Sequence, residues 1–205
     1  MLQAAADARG HDMREASVRE LQRRFGVDVA QADRVARIAA RLYEGARPAA
    51  SREARRELQW ASALHEVGMM ISHHDHHRHS AYLLAHVDAA GFSQSQLRRV
   101  AALVLGQRGG LRKVEMQLVN EEVGWQLMAL RLAAILAHAR AATEPAAPDL
   151  RADGHVARLA LEPGWAERHP RTQHLLVAEA DAWARTGRLA LVLETQGEPR
   201  RGSKR

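Results

Sequence analysis

Seven of the twelve histidines lie between His65 and His86: His65, His73, His74, His76, His77, His79 and His86. Imidazole is a common ligand for divalent transition metals, and Glu66, Asp75 and Asp88 add carboxylate oxygens. One chemistry for this segment is therefore the binding of a divalent metal. Neighbouring side chains such as His73–His74 and His76–His77 cannot all turn to one ion, so only a few could serve. The other reading is packing, with one or two histidines buried and hydrogen-bonded at a helix end and the rest coating a solvated loop. Spacing leaves both open. A second group is cationic: Arg98, Arg99, Arg108, Arg112 and Lys113 fall in one stretch that contains no acid. Guanidinium groups suit phosphate because their planar fork donates two parallel hydrogen bonds. The alternative is an ordinary solvated basic helix end. There is no cysteine, which excludes disulfides, thiolate metal sites and a thiol nucleophile.

Mostly helical elements must position these residues. Ser17 and Glu20 have capping-box spacing, although Asp12–Arg14 offers an earlier start, and Gly26 ends the first helix. Asp28 caps a stripe of Ala32, Val35, Ala36, Ala39, Leu42 and Tyr43, and Ser51 caps a helix carrying Leu58, Ala61 and Leu64. Residues 71–79 (ISHHDHHRH) read as a loop before a short helix over Ala81–Val87. Ser93 and Gln96 repeat the capping-box spacing before Leu97, Val100, Leu103 and Val104; after Gly106, Gly109 and Gly110 comes a long helix through Val123, Leu127, Leu130, Ala134 and Ala137. Beyond Thr143–Pro148 the period changes. His155–Leu161 alternates, Pro170–Arg185 has helical spacing, and Arg188–Leu193 reads as a strand. The expected organisation is a flexible lead-in (1–12), a helical domain (13–142), a linker (143–149), a small α+β subdomain (150–195) and a basic flexible tail (196–205).

At 205 residues, with 46% hydrophobic and 26% charged residues, the composition is that of an ordinary globular chain. It has neither an apolar run long enough to span a bilayer nor a secretory signal at its start, so a cytoplasmic location is expected. The net charge is +6, but the last ten residues hold four cations against one acid, leaving a mildly basic body. A role in coating nucleic acid is not indicated, and the four tryptophans show no aromatic–basic interleaving. Trp60 and Trp125 are expected in the core.

His65-Glu66 on a helix, followed by His77-Arg78-His79-Ser80 at the start of another, resembles the HD phosphohydrolase superfamily. In that superfamily histidines and aspartates ring a metal that activates water. Here Gln31 stands where the first histidine ligand would be and Glu66 replaces the paired aspartate, and a final aspartate is missing. The longer stretch Trp60–Gly68, His73, Arg78–Leu84, Asp88 and Gly91-Phe92 resembles the C-terminal helical domain of the exopolyphosphatase / guanosine pentaphosphate phosphohydrolase (Ppx/GppA) family. Asp12–Arg14, Ser17-Val18, Leu21, Val27-Asp28 and Arg131–Ala133 fit the same pattern over residues 12–142. This resemblance implies a mostly α fold, an HD-like helical bundle followed by a small α+β subdomain. It also implies that phosphate release belongs to actin-like domains, with their magnesium, that this chain lacks. The chain alone would then be inactive and hold no cofactor. The implied role is a polyanion-binding and dimerising module for polyphosphate or (p)ppGpp, working with a separate actin-like catalytic chain. Binding would use Arg78, His79, Arg98, Arg99, Arg108, Arg112 and Lys113, while Gln31, His65 and Glu66 mark the degenerate HD positions. Where the family commonly has His-Arg, this chain has Gln107-Arg108. His65 and His79 are expected to hydrogen-bond neighbouring helix ends and tie two helices together. The alternative is a metal-dependent HD-type nucleotide phosphohydrolase.

Overall fold

The computed structural model describes residues 2–138 and 148–195. Most of the expected 143–149 linker and the whole 196–205 tail lie outside the described residues. Helices α1 (Leu2–Arg24), α2 (Val29–Ala46), α3 (Arg52–Leu64), α4 (His76–His86), α5 (Gln94–Gly106) and α6 (Glu121–Leu136) form a bundle. Strands β1 (Asp149–Asp153) and β2 (Val156–Leu161), the short α7 (Trp165–Arg168), α8 (Pro170–Ala184) and β3 (Ala190–Thr195) complete the chain.

Caps and stripes define the bundle as expected. The Asp28 carboxylate accepts from the Gln31 amide at 3.0 Å, and Ser51 Oγ accepts from the Ala54 amide at 3.1 Å. Ser93 and Gln96 satisfy each other's backbone amides at 3.2 and 3.0 Å, a complete capping box. On α2 the stripe Ala32, Val35, Ile38, Ala39, Leu42 and Tyr43 is buried. Helix α6 is buried on every side from Gly124 to Ala133, which makes it the central rod of the bundle. Trp60 and Trp125 are core residues, 1% and 0% exposed.

Two local readings need correction. Helix α1 does not begin at Ser17 but spans Leu2–Arg24, and Ser17 Oγ donates to the Ala90 carbonyl at 2.8 Å. A hydroxyl taken up by a distant loop cannot cap its own helix. Residues 71–79 are not all loop, because α4 starts at His76 and buries His76 and His77. Tertiary contact overrides the polar composition. The first turn of α4 seats on a 3₁₀ turn, Val67–Met70, where the Gly68 amide donates to Ser80 Oγ at 2.8 Å. A Cβ at Gly68 would collide with the Ser80 amide nitrogen and the His76 carbonyl, so only glycine admits this approach.

The α+β segment carries three strands, within the two or three that its pattern predicts. Strands β1 and β2 pair antiparallel, with Leu150 opposite Leu159, and β3 adds parallel to β2 after α7 and α8. Ala157, Leu159, Leu161 and Leu191 are buried on one face, whereas Arg158 on the other pairs with Asp153 and Glu194 at 3.0 and 2.7 Å. The sheet shares the bundle's core rather than forming its own: Leu150, Leu159, Leu176 and Trp183 join one apolar cluster with Leu42, Trp60 and Leu130. Strand β1 lies on α2 at Gly45, where a Cβ would stand 2.6 Å from the Leu150 carbonyl oxygen.

Candidate functional site

A cavity of about 570 Å³ opens where α2, α6 and α8 meet the turn after α3, the start of α4 and the loop after α5. Helix α2 contributes Gln31 and Val35, the turn after α3 contributes His65, Glu66 and Met69, and α4 contributes His76. The 107–110 loop supplies Arg108, α6 supplies Arg131 and Ile135, and α8 supplies Arg171, Leu175, Glu179 and Arg185. Gln31, His65 and Glu66, which the resemblance marks as degenerate HD positions, are thus brought together with Arg108 in one pocket.

The donor chemistry of that trio has changed character. Gln31 Nε2 donates to the Ala137 carbonyl at 3.0 Å and its Oε1 accepts from Arg34 at 2.9 Å, so the amide serves as a helix-to-helix clip. His65 keeps the posture of a ligand: Nδ1–H donates to the Ser62 carbonyl at 2.6 Å, and Nε2 faces Glu66 Oε1 at 3.8 Å. Among the described residues, no three His, Asp or Glu side chains converge closely enough to hold an ion. His73, His74 and His86 are exposed, and His86 Nδ1 donates to the Tyr82 carbonyl of its own helix at 2.8 Å.

At His65 the tie to α4 runs through the backbone. His65 turns to its own helix, and its backbone carbonyl accepts instead from Ser80 Oγ at 3.0 Å and Gln107 Nε2 at 2.7 Å. Gln107 is 5% exposed and anchors the loop that follows α5. His79 sits half-buried over Gly68.

The predicted cations divide into two groups. Arg98 and Arg99 occupy the first turns of α5, about 13 Å of helix rise from Arg108. Arg99 pairs with Glu57 beside a second cavity of about 350 Å³ lined also by Met116, Val119 and Val123. Arg108 and Arg112 are exposed, and Lys113 Nζ donates to the Arg108 carbonyl. Burial pushes the Lys113 ammonium down to about 8, with Arg131 and Arg78 adding repulsion and Asp75 offsetting part of it. Burial likewise pushes the neighbouring His77 imidazole down to about 4, helped by Lys113 and His76. Lys113 thus bonds the Arg108 backbone at the cavity rim and feels the charge of Arg78, Arg112 is exposed in the turn beside it, and Arg98 and Arg99 lie apart at the other end of α5.

A buried pair that sequence reasoning did not select forms the cavity floor. Arg131 Nε and Nη2 donate to both oxygens of Glu179 at 2.5 and 2.6 Å, and Nη1 donates to the carbonyls of Gly106 and Gly109 at 2.6 and 3.0 Å. Trp183 Nε1 adds a bond to Glu179 Oε1 at 2.6 Å. The signal in the sequence was the lone arginine within the apolar run Leu127–Leu136. A charge on a helix buried all round needs a partner.

The family model described as Ppx/GppA phosphatase, domain III, matches residues 13–180. It covers α1 from Met13 through most of α8, including every residue of the cavity except Ala182 and Arg185. With the match spanning most of the 205 residues, the chain belongs to the Ppx/GppA phosphatase family through its domain III.

Proposed function

We propose that this chain is a polyanion-binding and dimerising module of an exopolyphosphatase or (p)ppGpp phosphohydrolase, acting in the cytoplasm beside actin-like domains that release phosphate with magnesium. The observation that carries this reading is the run of Arg108, Arg112 and Lys113 after α5, with Arg78 and Arg131 acting on the Lys113 charge and Asp75 offsetting part of it. An ammonium whose charge is disfavoured by burial, with Arg131 and Arg78 adding repulsion, favours an anion that pairs with it. Family membership supplies the substrate class. The reading assigns no metal to Gln31, His65 and Glu66, because an amide already engaged at both ends does not replace a histidine ligand. Among the described residues no helix is long and apolar enough to cross a membrane.

The test is a titration of polyphosphate at several salt concentrations. Arg108→Ala/Arg112→Ala is expected to weaken binding about tenfold or more. It should also flatten the log–log salt slope by about 1.4, at roughly 0.7 per single-strand contact by analogy with nucleic acid. Wild-type binding should also weaken as pH rises through about 8, where Lys113 loses its proton. Light scattering in the same titration reports whether the binding species is a dimer. Unchanged affinity and slope in the double variant would show that the polyanion lies elsewhere.

A further inference from the structure

The cavity holds more positive charge than its own carboxylates neutralise. Arg108, Arg131, Arg171 and Arg185 line it against Glu66 and Glu179, and Glu179 is already bound by Arg131 and Trp183. Arg108, Arg171 and Arg185 are exposed side chains that enter no ion pair among the described residues. They come from the 107–110 loop and from both ends of α8, so the charge surrounds the opening. The remaining wall, with Val35, Met69, Ile135 and Leu175, is apolar.

We infer that this cavity is a binding site for a small organic phosphate, a phosphate monoester carrying an apolar or flat body of about mononucleotide size, which it holds without cleaving. The phosphate sits at one end of the cavity, against Arg171 or against Arg185, which stand about 21 Å apart along α8, and the apolar wall covers the body. The volume lies within the few hundred to one thousand Å³ typical of small-molecule sites. Free inorganic anions fit worse because they leave the apolar wall wet. The site is distinct from the polyanion surface: it depends on α8, whereas that surface depends on α4 and the residues after α5. Either can fail without the other.

Calorimetry with adenosine monophosphate, ribose 5-phosphate, inorganic phosphate and pyrophosphate tests the assignment. At least one of the two organic monoesters is expected to bind with 1:1 stoichiometry, at least tenfold tighter than phosphate or pyrophosphate, and to remain intact afterwards. Arg171→Ala/Arg185→Ala should weaken that binding tenfold or more while leaving polyphosphate affinity within about twofold. Ala178→Trp, which fills the cavity from α8, should abolish it, with circular dichroism and the thermal midpoint checking that each variant is folded. If neither organic monoester binds, if pyrophosphate binds equally well, or if folded variants bind as the wild type does, the inference is overturned.

Discussion

At the scale of single residues, the Arg131–Glu179 pair is where charge and packing are most tightly coupled. Both residues are 5% exposed, and four of the five guanidinium N–H groups are used, toward two carboxylate oxygens and two backbone carbonyls. Removing one member leaves the other charge buried and unpaired, which costs about 3–5 kcal/mol. Replacing both by apolar residues of similar size costs far less, although the two glycine carbonyls then lose a donor. Glu179→Ala is therefore expected to lower unfolding stability by about 3–5 kcal/mol in urea titrations, and Arg131→Met/Glu179→Leu by less than half of that. Equal losses in the two variants would mean that the pair's mutual compensation is not what holds α8 on α6. The arginine was conspicuous in the sequence. Its partner was not, because a carboxylate 48 positions away on another helix leaves no local signature.

At the scale of elements, short-range rules located most helices and missed what depends on contact. Asp28, Ser51 and Ser93 announce their helices because a cap is a local hydrogen bond between near neighbours. The start of α4 was hidden because its histidine-rich turn is held by Gly68 and Ser80, a match between two segments. Strand β1 was hidden for a related reason: only Leu150 of its five residues is buried, so it has no alternating pattern to read. Its place is set by α2, where Gly45 lets the Leu150 carbonyl approach. Gly45→Ala favours the helix by about 1 kcal/mol through propensity but forces β1 outward, and overpacking of this kind costs about 1–3 kcal/mol. A net loss of stability in thermal melts is the expected outcome. A gain would mean that β1 yields freely.

Across the whole molecule, one apolar cluster runs from Val18 to Leu191, so the bundle and the sheet are expected to lose structure together. The fold class and the juxtaposition of Gln31, His65 and Glu66 were legible because ordered motifs over a long span constrain topology. The arginines of α8 were not, since nothing in a solvated helix face tells which cavity it borders. The same interlocking bears on where a gene may be cut. The family match stops at residue 180, inside α8, ahead of the fully buried Trp183 indole and the whole of β3. An expression clone trimmed to that boundary would strip Glu179 of one donor and bare the long side of β2, turning a protected ribbon into a sticky edge that recruits other copies. Soluble yield after centrifugation should collapse for that clone and recover for one carried through Thr195.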